Sequence, residues 1–192
     1  MKKTPSLLAL MLAAAIPSIP LNAADPAPAA PPPPNPHIDY DGFLADAAEV
    51  GKLRESHRVT EQDFLKMSAE PGTIIFDARN DDKYALLHIK GAVHLDLTNA
   101  TAADLAKVIP DKTTRILIYC NNNFENEPEA FAGKADRASL NIYTFNTLYE
   151  YGYKNVFELG PLLDIKKSIL PFEGMKANAP AGQAKPVQPS QP

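Results

Sequence analysis

Cysteine is nearly missing from this chain: there is one, Cys120. A single thiol cannot form an internal disulfide, so the fold must rest on an apolar core rather than on covalent staples. Clustered positive charge is missing too. Lys and Arg number 19 against 23 Asp and Glu, for a formal net charge of −4, and no basic stripe forms; Lys166-Lys167 is a solvated pair. Nucleic acid is excluded as a partner, because phosphate neutralisation needs Lys and Arg gathered on one face. Nor is there an apolar run of about 20 residues, the length that crosses a bilayer. The apolar segment from Leu7 to Ile16 stops at Pro17, and no other stretch approaches that length. Hairpin signals and internal repeats are absent, which argues against a meander, a propeller or a solenoid.

Proline, by contrast, is abundant and unevenly spread. Of the 19 prolines, 11 crowd into Asp25 to Pro36 and the stretch after Ala177. Between them lies a foldable body, residues 37–176, enough for one ordinary core. Met1-Lys2-Lys3, the apolar segment and the small residues Ala23 and Ala24 have the charge, length and cleavage pattern of a secretory signal peptide, expected over 1–24. The expected setting is periplasmic or secreted, with no membrane attachment once the leader is removed. Residues 25–36 are expected to form a semi-rigid polyproline spacer and 177–192 a disordered proline-rich tail. A lone thiol in an oxidising compartment has three outcomes: it is sheltered, it pairs with another molecule, or it is chemically employed.

Within the body, strand and helix patterns alternate. Phe43, Leu44, Ala47, Val50 and Leu53 mark an N-terminal helix over Tyr40 to Glu55, followed by a brief edge strand at Arg58-Val59. Asp39 to Gly42 superficially resembles a calcium loop but lacks its remaining ligands, so no metal site is expected. Thr60 and Thr101 stand where N-caps belong, each with an acidic residue in the turn that follows. Thr73 to Phe76 and Asn155 to Leu159 read as buried strands. Helices are expected near Asp82 to Leu87, Thr101 to Ile109 and Leu140 to Tyr151, the last closed by Gly152. Such alternation implies βαβ crossovers: an α/β fold with a parallel sheet covered by helices on both faces, plus the N-terminal helix.

The centre of that sheet is Arg115 to Cys120. Four consecutive apolar residues, Ile116 to Tyr119, suit a strand buried on both faces, and Cys120 closes it. Ligands of open α/β sheets gather where loops leave the carboxyl ends of strands, so the thiol is expected to face a crevice. The other reading is a small buried hydrophobe.

These segments, in this order, resemble a single rhodanese-like domain covering roughly Val59 to Leu163. The residues that carry the resemblance are Thr73 to Arg79, Lys83-Tyr84, His88 to His94, Ile118 to Cys120, Leu148 to Val156 and Leu159-Gly160. The resemblance implies a sulfurtransferase in which the thiolate of Cys120 takes sulfur from a donor, holds it as a persulfide and passes it on, with no cofactor. It further implies that Asp77 and Arg79 border the site, Asp77 either orienting it or pairing with Arg79 or a turn amide, and that Lys83 either attracts an anionic donor or is an exposed helix lysine. The side-chain amides of Asn121, Asn122 and Asn123 would donate hydrogen bonds to the persulfide. His88 and His94 occupy structural positions of the motif.

One departure stands out. The family's cysteine loop is compact and often carries glycine and arginine, whereas here the helix resumes only about eighteen residues after Cys120. Asn126 stands where phosphatases and arsenate reductases of the same fold hold an oxyanion-clamping arginine, which removes that chemistry. Glu125 and Glu127 would oppose a doubly charged donor such as thiosulfate, while Lys134 or Arg137 could fold back over the thiol. Two functions remain open: sulfur transfer from a small donor or a persulfidated protein, and a non-catalytic binding or thiol-redox module that recognises a protein partner through the 121–137 loop.

Overall fold

The computed structural model describes residues 32–177. The leader, most of the proline spacer and all of the tail beyond Ala177 lie outside the described residues. The chain divides into two units, 1–38 and 39–192. In the first, the described residues 32–38 make a turn in which the His37 and Ile38 amides both donate to Asn35.

The second unit opens with α1 (Tyr40–His57), whose N-cap Asp39 accepts from the Gly42 amide at 2.7 Å. That bond is what the acidic segment is used for: it starts a helix. Next come β1 (Arg58–Val59) and α2 (Glu61–Ser68), capped by Thr60 through the Asp63 amide. Then follow β2 (Thr73–Asp77), α3 (Asp81–Leu86), β3 (His88–Ile89) and β4 (Val93–His94). The next helix, α4 (Ala102–Val108), begins in a reciprocal capping box between Thr101 and Asp104. The second half holds β5 (Arg115–Tyr119), β6 (Phe124–Glu125), α5 (Leu140–Glu150), β7 (Val156–Leu159), β8 (Leu163–Asp164) and β9 (Phe172–Glu173). Gly152, at φ 86°, takes the left-handed turn that ends α5, a conformation that any side chain would strain.

Five strands form one sheet in the order β1-β7-β5-β2-β4, every pair parallel. The central pair is fully zipped, from Thr73 opposite Arg115 to Asp77 opposite Tyr119. Side chains of a strand alternate between faces, so the sheet divides the core in two. Ile74, Phe76, Ile116, Ile118 and Val156 meet α1, α4 and α5 through Val50, Leu105, Phe145 and Leu148. Ile75, Leu117, Tyr119 and Leu159 meet α2 through Phe64 and α3 through Tyr84 and Leu86. Each fully buried Leu, Ile or Phe contributes about 1.5–3 kcal/mol, which is why four-residue apolar strands suffice here. A bidentate ion pair from Arg54 to the buried carboxylate of Glu158 pins α1 to β7, its closest approach 2.7 Å.

Two small ladders lie outside this sheet. β3 pairs antiparallel with β9, and β6 pairs parallel with β8. Their partners β9 and β8 belong to a C-terminal strap, 163–176, that crosses the second face and delivers Leu170 and Phe172 to its core. The strap lies beyond Leu163, where the family resemblance ends, but within the expected body 37–176, and it covers Phe124 and Phe131, which the loop after Cys120 leaves on that face.

Candidate functional site

Cys120 sits at the carboxyl end of β5, between β7 and β2, in extended backbone. Asn121–Asn123 then folds into a single 3-10 turn. The turn is locked reciprocally: the Cys120 amide donates to Asn123 Oδ1 at 2.9 Å, and the Asn123 amide donates to the Cys120 carbonyl at 3.2 Å. Asn123 Nδ2 donates in turn to the carbonyls of Leu159 (2.7 Å) and Pro161 (3.2 Å), while its Oδ1 also accepts from Asn141 Nδ2 at 3.1 Å. One buried amide thus ties the cysteine turn to the end of β7 and to the start of α5.

Asn122 does related work at longer range. Its Nδ2 donates to the Lys134 carbonyl at 2.8 Å and its Oδ1 accepts from the Lys134 amide at 2.9 Å, stapling the return limb of the loop to the turn. Asn121 is buried. Of the three asparagines read as donors to a persulfide, Asn122 and Asn123 therefore spend their side-chain amides on backbone carbonyls.

The rest of the loop makes a structured excursion. Phe124 packs with Phe131, Phe172 and Tyr119, and a turn closes from the Glu127 carbonyl to the Phe131 amide. The chain then comes back, so that Ser139, the residue before α5, brings its hydroxyl to 3.5 Å from Cys120 Sγ. The side chains of Lys134 and Arg137 are exposed.

The expectation that the thiol opens on a crevice is corrected here: Cys120 is only 1% exposed. The loop is long enough to fold over the thiol, which a compact family loop is not. It counts among the buried core residues, yet its surroundings are not wholly apolar. Cys120 joins neither of the two apolar clusters, and its side-chain partner is a hydroxyl. A separate cavity of about 470 Å³ opens at the carboxyl ends of β1 and β7, lined by Arg58, Thr60, Gln62, Gly160, Pro161 and Leu163 among others.

Asp77 and Arg79 lie beneath the site rather than in it. The Arg79 side chain, 1% exposed, grips both carboxylate oxygens of Asp77, the closest contact being 2.6 Å. It also donates to the carbonyls of Ala130 (3.0 Å) and Leu87 (2.8 Å) and stacks on Phe131 with its guanidinium 4.3 Å from the ring centre. Tyr119 donates its hydroxyl to Asp77 and accepts from the Ile89 amide. Burial works against the Arg79 charge, but the hydrogen bonds and charge of Asp77 outweigh it and raise the guanidinium pKa further. Burial, and then the Asp77 charge, push the Tyr119 phenol well above its ordinary value. A ligand has no access to either group, and the network's role is to pin the loop, through Ala130, to the sheet.

Lys83 does not face the thiol either; its ammonium donates to the Glu129 carbonyl at 2.6 Å. Lys176 of the strap bridges the carboxylates of Glu127 (2.5 Å) and Glu129 (2.7 Å). One ammonium thus offsets half the charge of these two loop acids, and Glu125 adds to the repulsion expected for an anionic donor. His88 and His94 stack on opposite sides of the Tyr84 ring at 3.7 and 4.4 Å, in keeping with structural positions. Among the described residues, no three His, Cys, Asp or Glu side chains gather as metal ligands.

The clamp has a defined pH window. The hydrogen bond from Lys176 and its charge hold Glu129 below its ordinary 4.5, and the bonds from Glu127 and Glu129 raise Lys176 above its ordinary 10.5. A depressed carboxylate stabilises above its unfolded pKa and loses that effect as pH falls through the folded value; a raised ammonium stabilises below its unfolded pKa and loses it as pH rises. Limited proteolysis of the 125–138 segment is therefore expected to stay constant between about pH 5 and 10 and to accelerate on either side. In Lys176→Ala it should be faster throughout and lose that pH dependence.

Sequence reasoning missed Ser139, Asn141, Tyr119 and Lys176. Ser139 carried a signal, being a hydroxyl residue directly before a helix; Lys176 carried none.

A family model described as rhodanese-like domain matches residues 60–160, more than half of the chain. The thiosulfate sulfurtransferase GlpE of Pseudomonas entomophila is 26% identical over 128 residues, spanning 66% of this chain and 99% of that protein. Among solved structures, the rhodanese-like domain of the Alr3790 protein of Anabaena sp. is similar at 22% identity, covering 69% of this chain and 89% of that one with a TM-score of 0.43. The BH2092 protein of Bacillus halodurans is similar at 19% identity, with coverage of 69% and 88% and a TM-score of 0.46.

Proposed function

This chain belongs to the rhodanese-like domain family, and on that premise we propose that it is a sulfurtransferase carrying sulfane sulfur as a persulfide on Cys120. The observation that carries the proposal is the placement of the thiol: it directly follows the central strand, and its sulfur lies 3.5 Å from the hydroxyl of Ser139, the residue before α5. In the proposed reaction the thiol first loses its proton. The thiolate attacks the donor's sulfane sulfur, the Sγ–S bond forms, and the leaving group departs with the electron pair of the broken bond. An acceptor thiolate then attacks the outer sulfur, and the electrons of the Sγ–S bond return to Cys120. Charge on the sulfur would lie at the positive end of α5.

Support for thiosulfate as the donor comes from the relative named a thiosulfate sulfurtransferase. Residues 121–128, which follow the thiol directly, supply no guanidinium for a dianion, and Arg137 further along the loop is exposed, which favours a persulfide of lower charge. The protein offered each donor in turn is expected to gain the mass of one sulfur atom, more readily from a small-molecule persulfide than from thiosulfate, and Cys120→Ser should gain none. A thiol that takes up no sulfur from any donor, yet reacts with an alkylating probe, would refute the proposal.

That outcome would favour the second reading, a non-catalytic binding or thiol-redox module, which the near-complete burial of Cys120 supports. An exported setting is part of the proposal and rests on the segment from Met1 to Ala24 alone. The mature chain is expected to begin at Ala24 or Asp25 when its N-terminus is sequenced.

A further inference from the structure

We infer that Ser139 is a second catalytic residue, its hydroxyl donating a hydrogen bond to the Cys120 sulfur whenever that sulfur carries negative charge. The inference rests on the persulfide reading above and adds a side-chain donor from outside the cysteine turn. Three observations lead to it. Ser139 Oγ lies 3.5 Å from Sγ, within range of a hydrogen bond to sulfur. Ser139 is the N-cap of α5, a position where a serine hydroxyl ordinarily accepts from a helix amide, yet its side chain makes no capping bond. The hydroxyl is thus free for the thiol. Third, the surroundings of the turn hold unfilled polar capacity: Asn141, 5% exposed and held by its Nδ2 on Asn123, leaves Oδ1 buried with no partner. A buried acceptor without a donor is costly, a penalty that a bound molecule presenting N–H, O–H or S–H would relieve.

The chemistry fits a hydroxyl better than a fixed amide. With the thiol protonated, either atom can donate. Once the proton has left, the thiolate only accepts, and the hydroxyl meets that need by rotating about one bond. The same donor stabilises the electron pair that returns to Cys120 when an acceptor removes the outer sulfur. Asn122 and Asn123, committed to carbonyls, cannot take this part.

The test compares the full chain with Ser139→Ala and Ser139→Thr. In Ser139→Ala, sulfur uptake at saturating small-molecule persulfide should fall about tenfold, the equivalent of one charge-assisted hydrogen bond. The donor's KM and the thermal midpoint should stay near those of the unsubstituted protein, because no cap is lost. Ser139→Thr keeps the hydroxyl and should recover most of the rate. Alkylation of Cys120 by iodoacetamide without any donor should follow the same order, which separates this inference from the persulfide reading. If no variant takes up sulfur but alkylation still drops in Ser139→Ala and recovers in Ser139→Thr, the Ser139 assignment stands and the persulfide proposal falls. Sulfur uptake and alkylation that are unchanged or faster in Ser139→Ala would overturn the assignment and make Ser139 a mere cover. A fall in both alanine and threonine variants alike would also overturn it, since it would mark a packing role.

Discussion

Arg79→Ala is expected to destabilise the domain by about 3–5 kcal/mol, a large share of what holds a domain of this size together. The guanidinium neutralises Asp77, satisfies the carbonyls of Leu87 and Ala130 and lies flat against Phe131. Truncation leaves a carboxylate in the interior with the Tyr119 hydroxyl and the Arg79 amide as donors and no counter-charge. It also opens a cavity beside Phe131. The urea midpoint of unfolding measures the loss. A double replacement, Asp77→Ala with Arg79→Leu, should lose less than the two single changes added together, because removing both charges abolishes the desolvation cost that either leaves behind. Additive losses would mean that the two side chains act independently, against the geometry.

Asn123→Ala should do the most damage at the site itself. It removes an acceptor for the Cys120 and Asn141 amide groups and two donors to the carbonyls of Leu159 and Pro161, all largely buried. Unsatisfied buried groups cost about 1–3 kcal/mol each; because the loop can relax toward water, a total of about 2–4 kcal/mol is expected. The effect on Cys120 should exceed the effect on the fold. Hydrogen exchange at the Cys120 amide should quicken sharply while the amides of β2 and the centre of β5 stay protected. Sulfur uptake should fall by at least tenfold if the turn positions the thiol. Asn123→Asp keeps the acceptor but turns both donors into an acceptor facing two carbonyls, so it should be no milder than alanine.

The sheet was legible because its information is local. Ile74 to Phe76 and Ile116 to Tyr119 are runs that water disfavours and βαβ connections bury, and Thr60, Thr101 and Gly152 punctuate helices within four residues of themselves. The site was legible only at its centre. That Cys120 ends the central strand follows from the strand; that the thiol is covered does not. Cover depends on contacts between residues far apart in the chain: Asn122 with Lys134, Asn123 with Leu159, Glu127 with Lys176. No periodicity encodes such pairs. For the same reason three consecutive asparagines read as an amide-rich cradle, when two of them carry backbone carbonyls. Lys83 was misdirected by an analogous route: helical position placed its Cα, but the excursion of the loop supplied the carbonyl that captures its ammonium.

The sheet's outer strands bear on how the protein behaves when crowded. β1 and β4 are each two residues long, so neither margin of the sheet presents more than a stub of unpaired backbone. An incoming strand needs a run of free amides and carbonyls to add itself to a sheet, and the sheet's strands of four or five residues are the interior ones, β7, β5 and β2, where both sides are already taken. The segments richest in β-branched and aromatic residues are therefore the least available for templating, and concentration alone should not drive this domain into fibres while it stays folded.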